Sequence, residues 1–182
     1  MGFLFWFLVA LILYVYFGYP LLVLILSKLR PAPPVRKADI IPTVSLIIPA
    51  YNEEKVIAQK IENSLTLDYP KDKLEIIVAS DGSTDRTNEI VEEYEDKGVR
   101  LVALEANQGK SSAQNLAVAE AGGNILFFTD ADVMLQPGAM RQVIRNFADG
   151  SVGCVVPKIT YCNEGDSSVG QGQGLYWRYE LS

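Results

Sequence analysis

The sequence predicts an α/β domain with a largely parallel sheet, preceded by one membrane-spanning helix. Three observations lead there. No charged side chain occurs before Lys28. After Pro42, short apolar runs alternate with amphipathic stretches, the pattern of strands joined by crossover helices. Each apolar run also ends in a loop of polar residues, where open α/β sheets place their ligands.

From Phe3 to Leu26 the chain reads FLFWFLVALILYVYFGYPLLVLIL, which as a helix spans roughly 36 Å, enough to cross a hydrocarbon core with some tilt. A cleaved signal peptide is the competing reading. It lacks support, because no basic segment precedes the run and the run is longer than a signal-peptide core. Gly18 and Pro20 are candidate points of bending, and Trp6, Tyr14, Tyr16 and Tyr19 are candidate interfacial anchors. Lys28, Arg30, Arg36 and Lys37 flank only the C-terminal end, so the positive-inside rule places the remainder in the cytoplasm. Residues 1–27 are therefore expected to form the membrane helix, 28–42 a basic, proline-rich linker, and 43–182 the soluble domain.

Within that domain Val44–Ile48, Leu74–Ala79, Val99–Ala103 and Ile125–Thr129 are expected to be strands. Helices are expected over Glu54–Leu65, Thr84–Lys97, Lys110–Ala121 and Pro137–Ala148. Ser83 or Thr84 is the candidate cap of the second helix, Gly98 its stop, and Pro137 the first-turn residue of the last.

Composition removes several chemistries. There is no histidine, so Ser/His/Asp and Cys/His nucleophile systems and His-ligated metals are excluded. Cys154 and Cys162 are too few for a cysteine zinc cage and are not spaced as a redox pair, so they read as ordinary buried or half-buried thiols. From Asp39 onward 12 basic residues face 22 acidic ones, a formal −10, which argues against nucleic acid as a partner. No G-x-G-x-x-G follows a strand and no G-x-x-x-x-G-K-[ST] occurs, removing dinucleotide dehydrogenases and P-loop NTPases.

What remains is in the strand-end loops. The first, PAYNEE, offers the face of Tyr51 to a base. The second, SDGSTD, puts the acceptor Asp81 at a strand tip, where it suits the imide N–H of a base, with Gly82 allowing a tight turn. The third, NQGKSSAQN, brings Lys110 to a helix start, a place suited to phosphate. The fourth strand runs into Asp130, Ala131 and Asp132, and adjacent acids of this kind are neutralised by a divalent cation that shares oxygens with a diphosphate. Each feature alone has an ordinary explanation as a turn, a cap or a surface charge. Together, at consecutive strand ends, they describe one ligand.

In this order and spacing, PAYNEE, SDGSTD and the D-x-D resemble the family 2 glycosyltransferases, the membrane-associated GT-A group that includes cellulose, chitin and hyaluronan synthases. The resemblance covers about Pro42 to Ser182. It implies a GT-A fold, a nucleotide-sugar donor that is usually UDP-linked, and Mg2+ or Mn2+. It further implies that Tyr51 and Glu53 contact the nucleoside, Asp81 the uracil and Lys110 the diphosphate, that Asp130 contacts ribose or metal, and that Asp132 ligates metal. The family's reaction is a displacement at the anomeric carbon with inversion, in which a carboxylate deprotonates the acceptor hydroxyl. Beyond Asp132 only Asp149, Glu164, Asp166 and Glu180 remain, none in the family's later acidic context, and Q-x-x-R-W is missing. The general base is therefore expected beyond Ser182, and the chain is expected to be the N-terminal part of a longer enzyme.

The function expected is a membrane-anchored inverting glycosyltransferase that uses a UDP-sugar and a saccharide or lipid-linked acceptor. The alternative is a non-catalytic nucleotide-sugar-binding subunit or an inactive truncated enzyme. A nucleotidylyltransferase would want a Gly-rich, basic first loop where this chain has PAYNEE. The segment GDSSVGQGQG, Gly165 to Gly174, reads as a flexible loop, and Tyr176 and Trp177 as acceptor-facing or core.

Overall fold

A computed structural model describes residues 2–29 and 33–157, which fall into two units dividing after Arg36. In the first unit, helical structure runs from Gly2 to Leu29, 28 residues long and apolar enough to cross a membrane. It consists of α1 (Gly2–Leu13), a π-helical turn over Tyr14–Gly18, and α2 (Tyr19–Leu29). The widened turn lies directly before Pro20, whose ring and missing N–H disturb the bonding of the preceding turn. Lys28 is the basic residue of the last turn.

The second unit holds a parallel four-stranded sheet of β1 (Val44–Ala50), β2 (Leu74–Ser80), β3 (Val99–Ala103) and β4 (Ile125–Phe128), in the order β3-β2-β1-β4. Burial follows position in the sheet. All seven residues of the inner strand β1 are buried, as a strand covered on both faces requires, whereas the edge strands β3 and β4 carry exposed positions. On one face Leu46 and Ile48 of β1 pack with Ile57 and Ile61 of α3 (Ile57–Leu65), Val91 of α4 (Thr87–Glu92), and Met140 and Ile144 of α6 (Ala139–Ile144). On the other, Ile47, Ile77 and Val102 pack with Ala113 and Ala117 of α5 (Lys110–Glu120). The chain moves outward from β1 through β2 to β3, then returns to the far side of β1 for β4. Right-handed crossovers in opposite directions fall on opposite faces, which accounts for the separation of α5 from α3 and α4.

Three helices are shorter than their periodicity suggests, because nearby residues make competing bonds. The Glu53 carbonyl takes the amides of Val56 and Ile57 in a turn, so α3 begins at Ile57 and not at Glu54. The Asp85 carboxylate takes the Thr87 amide at 3.0 Å, the role expected of Ser83 or Thr84. After α4, a 3₁₀ turn over Glu95–Lys97 leads to Gly98, which closes it at φ 84°. The Pro137 carbonyl accepts from the Asp68 amide at 2.8 Å, and α6 starts two residues later, with a 3₁₀ turn over Arg145–Ala148 as its tail. Cys154 is exposed and not buried or half-buried as expected. Arg30, Cys162, Glu164, the Gly165–Gly174 segment, Tyr176, Trp177 and Glu180 lie outside the described residues.

A polar tie closes the sheet at the strands' N-terminal end. Glu75 Oε1 accepts from the Ser45 hydroxyl and from the amides of Gly122 (2.5 Å) and Gly123 (3.1 Å), while Arg100 lies 3.4 Å from Oε2. A Cβ on Gly123 would stand 2.4 Å from the Ser45 amide nitrogen, so only glycine lets the α5–β4 connection enter here. Desolvation raises the Glu75 pKa, but the Ser45 hydroxyl, the Gly122 amide, Arg100 and the Gly123 amide outweigh it and leave it below its ordinary 4.5. The folded state therefore binds fewer protons here than the unfolded one. This contribution is complete above about 4.5 and is lost as pH falls through the depressed folded value. Glu75→Gln should lower stability by about 1–2 kcal/mol at neutral pH. It should also flatten the acid limb of a thermal-melting profile, and an unchanged profile would remove Glu75 from this role.

Candidate functional site

The opposite, C-terminal end of the strands carries the loops expected to bind a ligand, and β1 determines how they open. Its ladder with β4 ends where Thr129 donates to the Ile47 carbonyl at 3.2 Å. In a parallel ladder the next donor toward β4 would be residue 49, which is proline and has no N–H. Pairing with β2 continues to Ala50, whose carbonyl accepts from Asp81 at 2.9 Å. The β4 chain is thus released from the sheet at Thr129, and a crevice opens at the reversal of strand order.

Tyr51, Glu53, Asp81, Lys110, Asp130 and Asp132 line one cavity of about 250 Å³ in this crevice. All six site residues singled out from the sequence are brought together there. Tyr51 is half exposed. Asp130 and Asp132 face solvent, while Ala131 between them is buried, so the turn anchors on its alanine and presents both acids.

Side chains lace the loops to one another. Asn52 holds a left-handed conformation (φ 56°), which asparagine tolerates better than most residues. Its amide donates to Ser83 Oγ at 3.1 Å, and its Oδ1 accepts from the Thr84 amide at 2.8 Å. The Glu53 amide donates to Thr87 Oγ1 at 2.8 Å and the Glu54 amide to Asp85 at 3.1 Å. Desolvation raises the Asp85 pKa, and the Thr87 hydroxyl and amide with the Glu54 amide more than reverse this, holding it below its ordinary value.

Asp81 joins the second loop to the third. It is 4% exposed, and its two oxygens accept from the amides of Gln108 (2.8 Å) and Gly109 (3.0 Å). A carboxylate offers about four lone-pair sites, so acceptor capacity remains after these two bonds. Gly82 makes this approach possible: at φ 66°, a Cβ would lie 2.4 Å from the Ala106 carbonyl carbon and 2.5 Å from the Asn107 nitrogen. Lys110 then crosses to the fourth loop, with Nζ 2.5 Å from Asp130 Oδ1. Behind that loop, Lys60 of α3 is fully buried and donates to Thr129 Oγ1 at 2.9 Å and to the Val133 carbonyl. Burial pushes the Lys60 ammonium down to about 8, against the upward pull of Asp130 and then Asp132.

The donor set suits a hard divalent cation. Among the described residues no three His, Cys, Asp or Glu side chains converge, and the carboxylates that the fourth loop offers in the cavity are those of Asp130 and Asp132. Mg2+-like ions accept such partial protein coordination and complete it with phosphate and water oxygens. The Lys110 ammonium against Asp130 already shows that a positive charge is accommodated there.

Sequence reasoning missed Asn52, Thr87 and Lys60. For Lys60 a signal existed: it shares the helical face of Ile57, Ile61 and Ser64 and so falls on the buried stripe of α3. Thr87 reaches the first loop through the Glu53 amide 34 residues away, a contact that no local pattern reveals.

Gly82→Ala should destabilise the domain by more than the roughly 1–2 kcal/mol of left-handed strain alone. Gly98→Ala is the control, since it sits at φ 84° with open space around it and bears only that strain. Equal melting temperatures for the two variants would contradict the close contact between the second and third loops.

Comparison with known proteins fits this geometry. A family model described as Glycosyl transferase family 2 matches residues 45–181. A probable glycosyltransferase of Bacillus subtilis, YdaM, is 40% identical over 129 residues, covering 68% of this chain and 31% of the relative. A beta-monoglucosyldiacylglycerol synthase of Synechocystis sp. is 33% identical over 159 residues, or 82% of this chain and 33% of the relative. Among solved structures, the mannosyltransferase PcManGT from Pyrobaculum calidifontis, in complex with GDP-Man and Mn2+, is similar at a TM-score of 0.67. Its identity is 33%, over 77% of this chain and 43% of that one. S. aureus TarS 1-349 in complex with UDP-GlcNAc gives a TM-score of 0.55 at 30% identity, over 64% and 37% of the respective chains. The chain spans about a third of the length of these curated relatives. With the family pattern running from the start of β1 through the whole loop-bearing edge of the sheet, the chain belongs to glycosyl transferase family 2.

Proposed function

We propose that this chain is the donor-binding part of a membrane-anchored inverting glycosyltransferase that uses a UDP-sugar and a divalent cation. The observation that carries this reading is the convergence of Tyr51, Asp81, Lys110, Asp130 and Asp132 on one cavity at the strand-order reversal. Tyr51 provides a stacking surface for the base, and such contacts contribute about 1–3 kcal/mol. Glu53 adds an acceptor for the nucleoside, and the free acceptor capacity of Asp81 suits the uracil imide. Lys110 is close enough to Asp130 to move between that carboxylate and a diphosphate oxygen.

Asp130 and Asp132 would hold Mg2+ or Mn2+. When bound, such an ion neutralises charge developing on the leaving diphosphate. Support for the cation and donor comes from the solved relatives, one with GDP-Man and Mn2+ and another with UDP-GlcNAc. We assign no general base among the described residues.

The acceptor is proposed to be a saccharide or a lipid-linked sugar. The helix Gly2–Leu29 would hold the domain at a bilayer, and a relative is named as a glucosyldiacylglycerol synthase. The basic flank Lys28, Arg30, Arg36 and Lys37 supports a cytoplasmic domain facing anionic headgroups.

Titration of the full chain in detergent should show UDP binding that requires Mn2+ or Mg2+ and weakens on Asp132→Asn by about 10-fold or more. Binding indifferent to metal, or to that substitution, would count against the assigned site. Tyr51→Ala should weaken UDP binding by about 1–3 kcal/mol while leaving the metal requirement in place. Reconstituted into liposomes, the chain should resist extraction at high pH, and release into the supernatant would contradict a spanning helix.

A further inference from the structure

Lys60 is buried at the junction between α3 and the loop that carries the acidic pair. Its two acceptors, Thr129 Oγ1 and the Val133 carbonyl, bracket Asp130, Ala131 and Asp132 on both sides. One turn further along α3, Asn63 accepts from the Leu135 amide at 2.8 Å and donates to the Leu135 carbonyl at 2.9 Å. The loop has left the sheet at Thr129, so these side chains replace the lost ladder. We propose that Lys60 is a positioning residue that clamps both ends of the Asp130–Asp132 turn, so that the two carboxylates are preorganised for a divalent cation and diphosphate.

Packing alone does not account for a lysine at this place. Ile57 and Ile61 already join α3 to the sheet, and a methionine of similar length would fill the same volume without desolvating a charge. A buried ammonium is retained to advantage where fixed negative charge lies close by, and here that charge is on the cavity-lining acids. Lys110 approaches Asp130 from the exposed side and can leave it, whereas Lys60 is enclosed and cannot. The acids thus have one mobile counter-charge in front and one fixed behind. Lys60 touches neither carboxylate through a hydrogen bond; it acts on them through the backbone and hydroxyl that flank them.

This inference rests on the assignment of Asp130 and Asp132 to the metal–diphosphate site, and its test separates the two. The full chain in detergent carrying Lys60→Met is compared with wild type by UDP titration at increasing Mn2+ and by amide hydrogen exchange. The Mn2+ concentration giving half-maximal UDP binding should rise about 10-fold, the usual scale for outer-shell changes at metal sites. UDP affinity at saturating Mn2+ should be retained, and exchange across residues 129–135 should accelerate. The melting temperature should stay within about 5 °C, because the lost hydrogen bonds and the relieved desolvation oppose each other. A variant with wild-type Mn2+ requirement and unchanged loop exchange overturns the proposal, as does an equal loss at all Mn2+ concentrations together with a fallen melting temperature. Thr129→Val serves if Lys60→Met does not fold: removing one acceptor should shift the Mn2+ requirement about fivefold in the same direction, and no shift overturns the clamp. Failure of the site assignment would appear differently, as Mn2+-independent UDP binding by wild type, and loop exchange in Lys60→Met would then decide the clamp alone.

Discussion

The architecture of the site depends on a donor that does not exist. Pro49 stands in β1, the strand bonded to β2 along its length and to β4 only as far as Ile47. Proline inside a sheet is tolerated where its missing N–H faces no partner. Here the missing N–H faces β4 at the residue where the chain turns away toward Asp130. The ladder ends on one side and continues on the other, and the resulting gap lies at the strand-order reversal. A wider sheet edge with β4 paired to its tip would leave less room for a ligand between the first and fourth loops.

Loops freed in this way need other restraints, since unpaired backbone groups and open turns are entropically costly to order. Asn52, Asp81, Lys110 and Lys60 supply them in sequence around the crevice, each joining one strand-end loop to another part of the fold. Two of them, Asp81 and Lys110, also line the cavity. Asp81 illustrates the double use: two of its acceptor sites organise the third loop, and the remainder are available to a ligand. Loops tied to one another in this way would need less ordering when the proposed ligand binds.

Charge poses the opposite problem. The domain is strongly acidic, yet the ligand proposed for it is an anionic diphosphate. Among the described residues, Lys110 and Lys60 bring positive charge to the acid pair, one exposed and one buried, and a divalent cation would add to them. Concentrating positive charge at one place in an acidic surface also favours a defined orientation of the ligand over diffuse attraction.

The four strands were readable because each is a short, mostly apolar run bounded by polar loops, and the inner pair, β1 and β2, is the most continuously apolar, with Ser45 and Glu75 breaking the runs only near the strands' N-terminal ends. The cavity-lining residues were readable because strands of one parallel sheet end at the same edge, so that Tyr51, Asp81, Lys110 and Asp132 are neighbours once the strands are recognised. The start of α5 at Lys110 was readable too, but those of α3, α4 and α6 were not, because Glu53, Asp85 and Pro137 make bonds to distant or competing partners that override local propensity. Chain order likewise says nothing of the contact between Lys60 and Val133, 73 residues apart. Periodicity and loop chemistry, being local, thus determined the fold class and the six side chains that meet in the cavity. Which backbone groups are left without partners, and which distant side chains satisfy them, depends on three-dimensional proximity, and only the tertiary structure decided that.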